Sequence, residues 1–363
     1  MPEQAMIRDR FHLDGHKLWW HLDRLAAWQR GELIAPIYLE VSPTTVCNHR
    51  CIFCALDFAQ DRPMYLDAKA FTAHAPELAA LGVRSMLFAG EGEPLLHKDL
   101  PQMISAAHQA GLDVALNTNA SVSEEKLWPE ILPQLTWMRI SLDAGSEEIY
   151  SLVHGAPQNA FSQTLQNIAA ALEARSNLGA EVTIGAQYVL VRANAGDLEK
   201  ALKLCAELGL EYLSVKPFSQ HPLMRKQVDA SFGAQELAGL EKLCHEYHGK
   251  GAMKVIFRRR SFDAELDGEL AFSRCRAMPF FGYVSTDGAL HTCNVLLNDP
   301  RFRVGVLGRD STQELILGQA RQRAIELGQS MDLDPACRRN CRAARMNEFL
   351  EQLAQPPQHV NFI

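Results

Sequence analysis

The chain has 363 residues, of which 47% are hydrophobic and 22% charged, and its formal net charge is −7. That length supports one large domain or two of ordinary size, with a substantial core. The mildly acidic balance excludes a global electrostatic footprint for nucleic acid or an anionic membrane, and no stretch approaches ~18 consecutive apolar residues.

The opening M-P-E-Q-A-M-I-R-D-R lacks the apolar core of a secretory signal, which points to the cytoplasm. The nine cysteines then read as metal ligands rather than disulfides. A helix is predicted over His16–Arg30, where Leu18, Trp19, Leu22, Leu25, Ala26 and Trp28 form a broad apolar stripe suited to packing on the next domain.

From Pro36 the pattern becomes short apolar runs alternating with helical stretches. Strands are predicted at Ile37–Val41, Ser85–Ala89, Val114–Asn117, Met138–Leu142, Val182–Leu190 and Tyr212–Lys216. The helices between them are predicted at Asp67–Leu81, Asp99–Ala110, Ser123–Leu132, Phe161–Arg175 and Gly196–Leu208. Asp99 and Ser123 stand where N-caps belong, and Gly111 and Gly209 where helices stop. Such β-α repetition implies an α/β fold with a parallel sheet and helices outside it.

A parallel sheet gathers its ligands at the carboxyl ends of its strands. Cys47, Cys51 and Cys54 follow the first strand in the run C-N-H-R-C-I-F-C. The second strand leads into G-E-G-E-P (90–94), the third into T-N-A (118–120), the fourth carries S-L-D-A-G (141–145), and the sixth runs into K-P-F-S-Q-H (216–221). Each loop alone is ordinary turn chemistry; their sharing one rim is what points to a site.

Three close thiolates can hold a cubane iron-sulfur cluster and leave one iron open for reaction. Structural zinc wants four protein ligands, and only His49, inside the run, offers a fourth. Phe53 supplies a ring face for a purine.

Beyond residue 220 the alternation breaks. A helix is predicted at Ala234–Tyr247, followed by the basic run Lys254–Arg260, which suits either an anionic substrate group or a solvated edge strand. Cys275 and Cys293 flank a hairpin turning at Asp287-Gly288, and Cys337 and Cys341 follow a helix ending near Leu327. On ligand count these four suit zinc and a fully ligated cluster equally. Cys205 and Cys244 fall on helices and read as small core residues rather than hydrogen donors. A helix over Ala343–Leu353 and the apolar end at Val360, Phe362 and Ile363 are expected to dock, so that removing residues 355–363 destabilises the protein.

C-N-H-R-C-I-F-C resembles the CxxxCxΦC signature, Φ being aromatic, of the radical S-adenosylmethionine (radical SAM) superfamily. The resemblance implies that Cys47, Cys51 and Cys54 hold a 4Fe-4S cluster whose open iron is chelated by SAM. It also implies that one electron, from a flavodoxin- or ferredoxin-type donor, cleaves SAM to methionine and a 5′-deoxyadenosyl radical. Glu91-Gly92-Glu93 is similar to the family's GGE segment, with Glu91 standing where the first Gly would be. Gly92 and Glu93 would then receive the SAM amino group, while Ser141 and Asp143 would contact the ribose. Asn117, Asn119 and Gln187 are further candidates at the rim, and Phe53 is the adenine candidate.

Cys275, twelve residues, Gly288, four residues, Cys293 resembles the opening of SPASM and twitch auxiliary-cluster domains. Four remaining cysteines fit the shorter twitch arrangement with one auxiliary 4Fe-4S cluster, although C-x3-C departs from the closer last-pair spacing of some members. The implied architecture is a partial (β/α)6 TIM-type barrel at 36–232, preceded by a helical extension at 1–35. A small twitch/SPASM-like α+β region follows at 233–363.

A fully ligated second cluster cannot chelate substrate but can accept an electron. The implied activity is therefore that of an oxidoreductase on a small carbohydrate-like or polyol substrate. The alternatives are a maturase or epimerase acting on a ribosomal peptide or a sugar and, from another class, a non-catalytic iron-sulfur or zinc scaffold.

Overall fold

The computed structural model describes residues 11, 16–122, 126–268, 270, 272–333 and 337–362. Seven parallel strands run in sequence order: β1 (Tyr38–Val41), β2 (Ser85–Phe88), β3 (Asp113–Thr118), β4 (Trp137–Ser141), β5 (Thr183–Leu190), β6 (Tyr212–Pro217) and β7 (Lys254–Phe257). β8 (Phe281–Val284) joins the other edge, parallel to β1, in the register Tyr38↔Phe281 to Val41↔Val284. β9 (Ala289–His291) and β10 (Arg303–Val306) then add antiparallel, giving the order β10-β9-β8-β1-β2-β3-β4-β5-β6-β7.

The sheet is thus a partial barrel, open between β7 and β10, with the parallel (β/α) run at its centre. The basic run splits: Lys254–Phe257 is a strand, and Arg259–Asp267 is a helix. Rather than building a sheet of its own, the C-terminal hairpin of β8 and β9 extends the barrel. Its pairing satisfies the backbone groups that β1 would otherwise present as a bare edge.

Side-chain parity decides what faces what. On β4, Met138 and Ile140 are fully buried under the outer helices, while Trp137, Arg139 and Ser141 point to the half-open interior. The same alternation turns Glu40 on β1, Asn117 on β3, Gln187 on β5, and Ser214 and Lys216 on β6 inward, where they line the cavity or bond to residues that do. The outward residues, among them Leu39, Leu116, Ile184, Tyr188, Leu213 and Val215, form the main core with Phe71, Leu78, Ile104, Ile168 and Leu202 from the helices. Leu87, Ala89 and Ala115, packed by Tyr38 and Trp137, make a separate small apolar cluster.

Asp67 caps the helix Ala68–Leu81 by accepting from the backbone N–H groups of Lys69 and Ala70, and Gly82 ends it in the left-handed conformation. Asp99 makes no side-chain cap; its own N–H instead donates to His97 Nδ1. Ser123 lies outside the described residues; the helix there is described from Leu127 to Ile131. A helix at Glu147–His154, with Glu147 and Glu148 in its first turn, was not among the sequence expectations.

The N-terminal stretch forms a short 3-10 turn, His16–Trp20, and then a helix, Leu22–Gln29. Leu18 and Leu25 pack with Ile34, Phe280 and Leu350, whereas Trp19, counted in the expected apolar stripe, stays mostly exposed, with its ring centroid 6.0 Å from that of Phe349. The helix Ala344–Ala354 docks through Leu350 and Asn347, whereas residues 355–362 are exposed, with Phe362 85% accessible. The expected docking of the tail is therefore corrected: Val360 and Phe362 touch too little protein to bury.

Candidate active site

The carboxyl ends of the strands open on one cavity of about 620 Å³. Cys47, Cys51, Phe53 and Cys54 line it together with Gly92, Glu93, Asn117, Asn119, Ser141, Asp143 and Gln187, so the sequence-predicted residues of the first cysteine set and its rim share one wall.

The cysteine loop is held from two sides. A Cβ at Gly92 would collide with the backbone oxygens of Val46 and Thr44, so a glycine is what lets the second rim loop lie against the loop bearing Cys47. Arg50 N and Ile52 N donate to the carbonyls of His154 and Val153 at 2.8 and 2.9 Å, tying the other flank to the helix Glu147–His154.

His154 is central to this wall. Burial pushes its imidazole down to about 3, so it is neutral and its 3.8 Å approach to Asp143 is not an ion pair. Nε2–H donates to Leu142 O at 3.0 Å, which leaves Nδ1 to accept from the Cys51 thiol at 3.1 Å. Burial pushes Cys47 up to about 12 and raises Cys51 and Cys54 as well. Three neutral thiols massed in this way ionise when a metal brings compensating charge.

Glu93 accepts from Thr118 Oγ1 at 2.5 Å, Asn119 N at 2.7 Å and Leu95 N at 3.1 Å. Burial nevertheless pushes its carboxyl up to about 7, a cost that an approaching ammonium would relieve. Asp143, at φ 54°, accepts from Val189 N through Oδ1 at 2.5 Å, and burial lifts it to about 7. Its Oδ2 is buried without a partner, as are Asn117 Oδ1, Gln187 Oε1 and both ring nitrogens of His49. Orphaned acceptors around a cavity are suited to hydroxyl and amino donors of a ligand. Asn119 differs: its side chain is already engaged with Asn48 and Ser121.

Glu91, where the family pattern has glycine, turns away from this wall. Its carboxylate accepts from Thr286 Oγ1 at 2.5 Å and Tyr283 OH at 3.3 Å, fastening the C-terminal hairpin to the second rim loop.

The second cysteine set gathers opposite. Cys275 and Cys293 are buried among Phe272, Met278, Val295 and Phe302, with Cys337 and Cys341 packed on the same group. The Cys337 thiol donates to the Arg338 carbonyl at 3.5 Å, and its proximity draws the Cys341 thiol below its ordinary value. Asn347 Nδ2 donates to Cys275 Sγ at 3.7 Å, and Cys341 also lines the cavity. Cys205 and Cys244 lie in the main core.

Of the cations that line this cavity, sequence reasoning named Lys216 in a rim segment and Arg258 in the basic run suited to an anionic group, but missed Arg139, Arg338 and Arg342. Strand parity was the available signal, since Arg139 shares its side of β4 with Ser141.

A parallel barrel with three thiols at the end of its first strand and acceptor groups around the same rim defines a SAM-binding, radical-generating domain. Residues 41–205 form that domain: they match the model described as "Radical SAM superfamily". The domain's cofactors are SAM and a 4Fe-4S cluster, and the thiols and orphaned acceptors fit both.

The chain is 26% identical over 193 residues to a GTP 3',8-cyclase of Chlorobaculum tepidum, an alignment covering 52% of this chain and 56% of that protein. It thus spans little more than half the length of that relative. It is 35% identical over 111 residues to an S-adenosylmethionine-dependent nucleotide dehydratase of Lacinutrix mariniflava, covering 28% of this chain and 22% of that one. Its fold is similar to Streptococcus suis SuiB bound to precursor peptide SuiA, with TM-score 0.63, 16% identity and coverage of 84% and 72%. Among the described residues no helix is long and apolar enough to cross a membrane.

Proposed function

We propose that this radical SAM enzyme carries a second, auxiliary 4Fe-4S cluster on Cys275, Cys293, Cys337 and Cys341 and oxidises a small hydroxyl-bearing, carbohydrate-like substrate lying between the two cysteine sets. The observation that carries this reading is that Cys341 opens on the same cavity as Cys47, Cys51 and Cys54. When bound, the first cluster and SAM supply hydrogen-atom abstraction, and the second cluster supplies an acceptor for one electron.

The chain's own part is binding and orientation. Glu93 receives the SAM ammonium, its remaining lone pairs being available beside the three donors it already has. Asp143 Oδ2, with Ser141 beside it, accepts from the ribose hydroxyls; Gln187 Oε1 and Asn117 Oδ1 accept from amino or hydroxyl groups at the same wall. Phe53 packs its ring against adenine, and it is braced edge-on by His154 at 5.8 Å between centroids. His221 Nε2, buried without a partner on the cavity wall, is placed to hold a substrate hydroxyl.

A second reading is favoured by the names of the two curated relatives: cyclisation or dehydration of a nucleotide. Dehydration leaves the second cluster no net electron to take. Anaerobic reconstitution followed by reduction tests both. Oxidation requires about eight irons per chain, four for each cubane cluster, and a product lighter by two hydrogens, formed with equimolar 5′-deoxyadenosine and methionine. A product lighter by one water, or one of unchanged mass, supports the second reading. Zinc in place of iron, or no reductive cleavage of SAM, defeats both and leaves a scaffold.

A further inference from the structure

Three cations enter the cavity from three different strands. Arg139 comes from β4 and Lys216 from β6, while Arg258 follows β7 directly, with its Nε–H donating to Ser214 Oγ at 3.1 Å. Among the described residues none of the three has a carboxylate within ion-pair distance. Arg342, on the same cavity, is different, since it is paired with Glu40 at 3.2 Å and bonded to Tyr38.

Arg139 has the Trp137 ring beneath it at 5.3 Å and Gly185 as its neighbour on β5, where the Tyr212 ring takes the space that a Cβ would need. Arg338 adds a fourth positive group: one nitrogen donates to Ser219 O at 2.6 Å and its Nε is buried without a partner. The cations also depress one another. Burial holds the Lys216 ammonium well below its ordinary value, and Arg139, Arg258 and Arg338 all push it further down. Like charges gathered in a concave, half-buried space are a costly arrangement unless an anion joins them.

We propose that Arg139, Lys216 and Arg258 bind a phosphate group of the substrate, which is therefore an organic phosphate carrying at least two negative charges. The inference rests on the cavity being the substrate space of the radical SAM reaction. Three donors arriving from separate strands suit tetrahedral phosphate oxygens, whereas a carboxylate offers two oxygens in one plane. Arg338, next to Cys337, is the cation most exposed to the alternative role of offsetting thiolate charge, and the proposal does not depend on it.

Equilibrium dialysis of the reconstituted holoenzyme with radiolabelled pyrophosphate, against tricarballylate as a carboxylate of comparable charge, tests this. The expected result is one saturable pyrophosphate site per chain, weakened about tenfold or more by Lys216→Met and by Arg258→Met. Arg258→Lys should recover part of the loss, and Arg301→Met, at an exposed pair with Asp299, should leave binding unchanged.

Three outcomes overturn the proposal: no saturable site, tricarballylate binding as tightly as pyrophosphate, or Lys216→Met and Arg258→Met that lose iron along with the anion. The last would assign these cations to cluster charge. Reductive SAM cleavage by the unaltered holoenzyme is measured alongside. Cleavage without pyrophosphate binding sinks this inference and leaves the proposed function standing; binding without cleavage keeps the anion site and defeats the proposed function.

Discussion

Replacing Glu91 by glycine, the residue the family pattern has there, should loosen the C-terminal hairpin while sparing the three-cysteine wall. Glu91 Oε2 accepts from Thr286 Oγ1 at 2.5 Å and from Thr286 N at 3.4 Å, and Oε1 accepts from Tyr283 OH at 3.3 Å. The short bond to a carboxylate contributes about 1.5–3 kcal/mol and the two long ones a few tenths each, while the buried carboxylate's own desolvation offsets part of the sum.

Glycine also adds about 0.5–1 kcal/mol of backbone entropy cost. The net loss is about 3 kcal/mol, which for 363 residues corresponds to a fall in Tm of about 4 °C. Glu91→Gln keeps an acceptor for Thr286 and should cost about 1 kcal/mol. Cys293 lies two residues beyond β9, so under the proposed two-cluster reading reconstituted iron should fall from about eight toward about four per chain in Glu91→Gly. Calorimetry and iron analysis of both variants check this. An unchanged Tm together with full iron content would refute the assignment of Glu91 as the fastening of the hairpin.

Arg321 is fully buried and donates to the carbonyls of Ile34 at 2.7 Å, Pro279 at 2.8 Å and Ile316 at 3.1 Å; Arg321→Met should cost about 2–4 kcal/mol in urea unfolding. Asp143, raised by burial to about 7, binds more protons folded than unfolded between its unfolded value and 7, so cluster-free protein should lose stability as pH rises through that window. Asp143→Asn should remove on the order of 2–3 kcal/mol of that decline between roughly pH 5 and 8, which denaturant titrations at the two ends would detect. Deleting residues 356–363 keeps the Gln355 N–H bond to Glu351 O and should leave melting within about 1 °C, since residues 356–362 are exposed.

The strand and helix order was legible because each parallel strand is a short apolar run with helix-facing residues at period two, and each following helix repeats near period four. β6 begins at Tyr212 as expected and the helix Ala234–Tyr247 matches at both ends. The helix Glu147–His154 escaped because it is only two turns long and follows a loop that already read as a rim segment. The rim residues were legible for a different reason: polar and glycine-rich loops after successive parallel strands must share one end of the sheet.

Local spacing by itself determined the first cysteine set, since three thiols within eight residues are held together by the chain whatever the rest of it does. The second set, the fastening role of Glu91 and the inward cations depended on contacts between residues far apart in sequence. Glu91 meets Thr286 across 195 positions, and Arg258 meets Ser214 only because β7 pairs beside β6. A period-two pattern tells which residues share a face but not which face is the cavity. Only closing the sheet around that cavity, with β8 covering the edge of β1, turned Arg139, Lys216 and Arg258 toward one another.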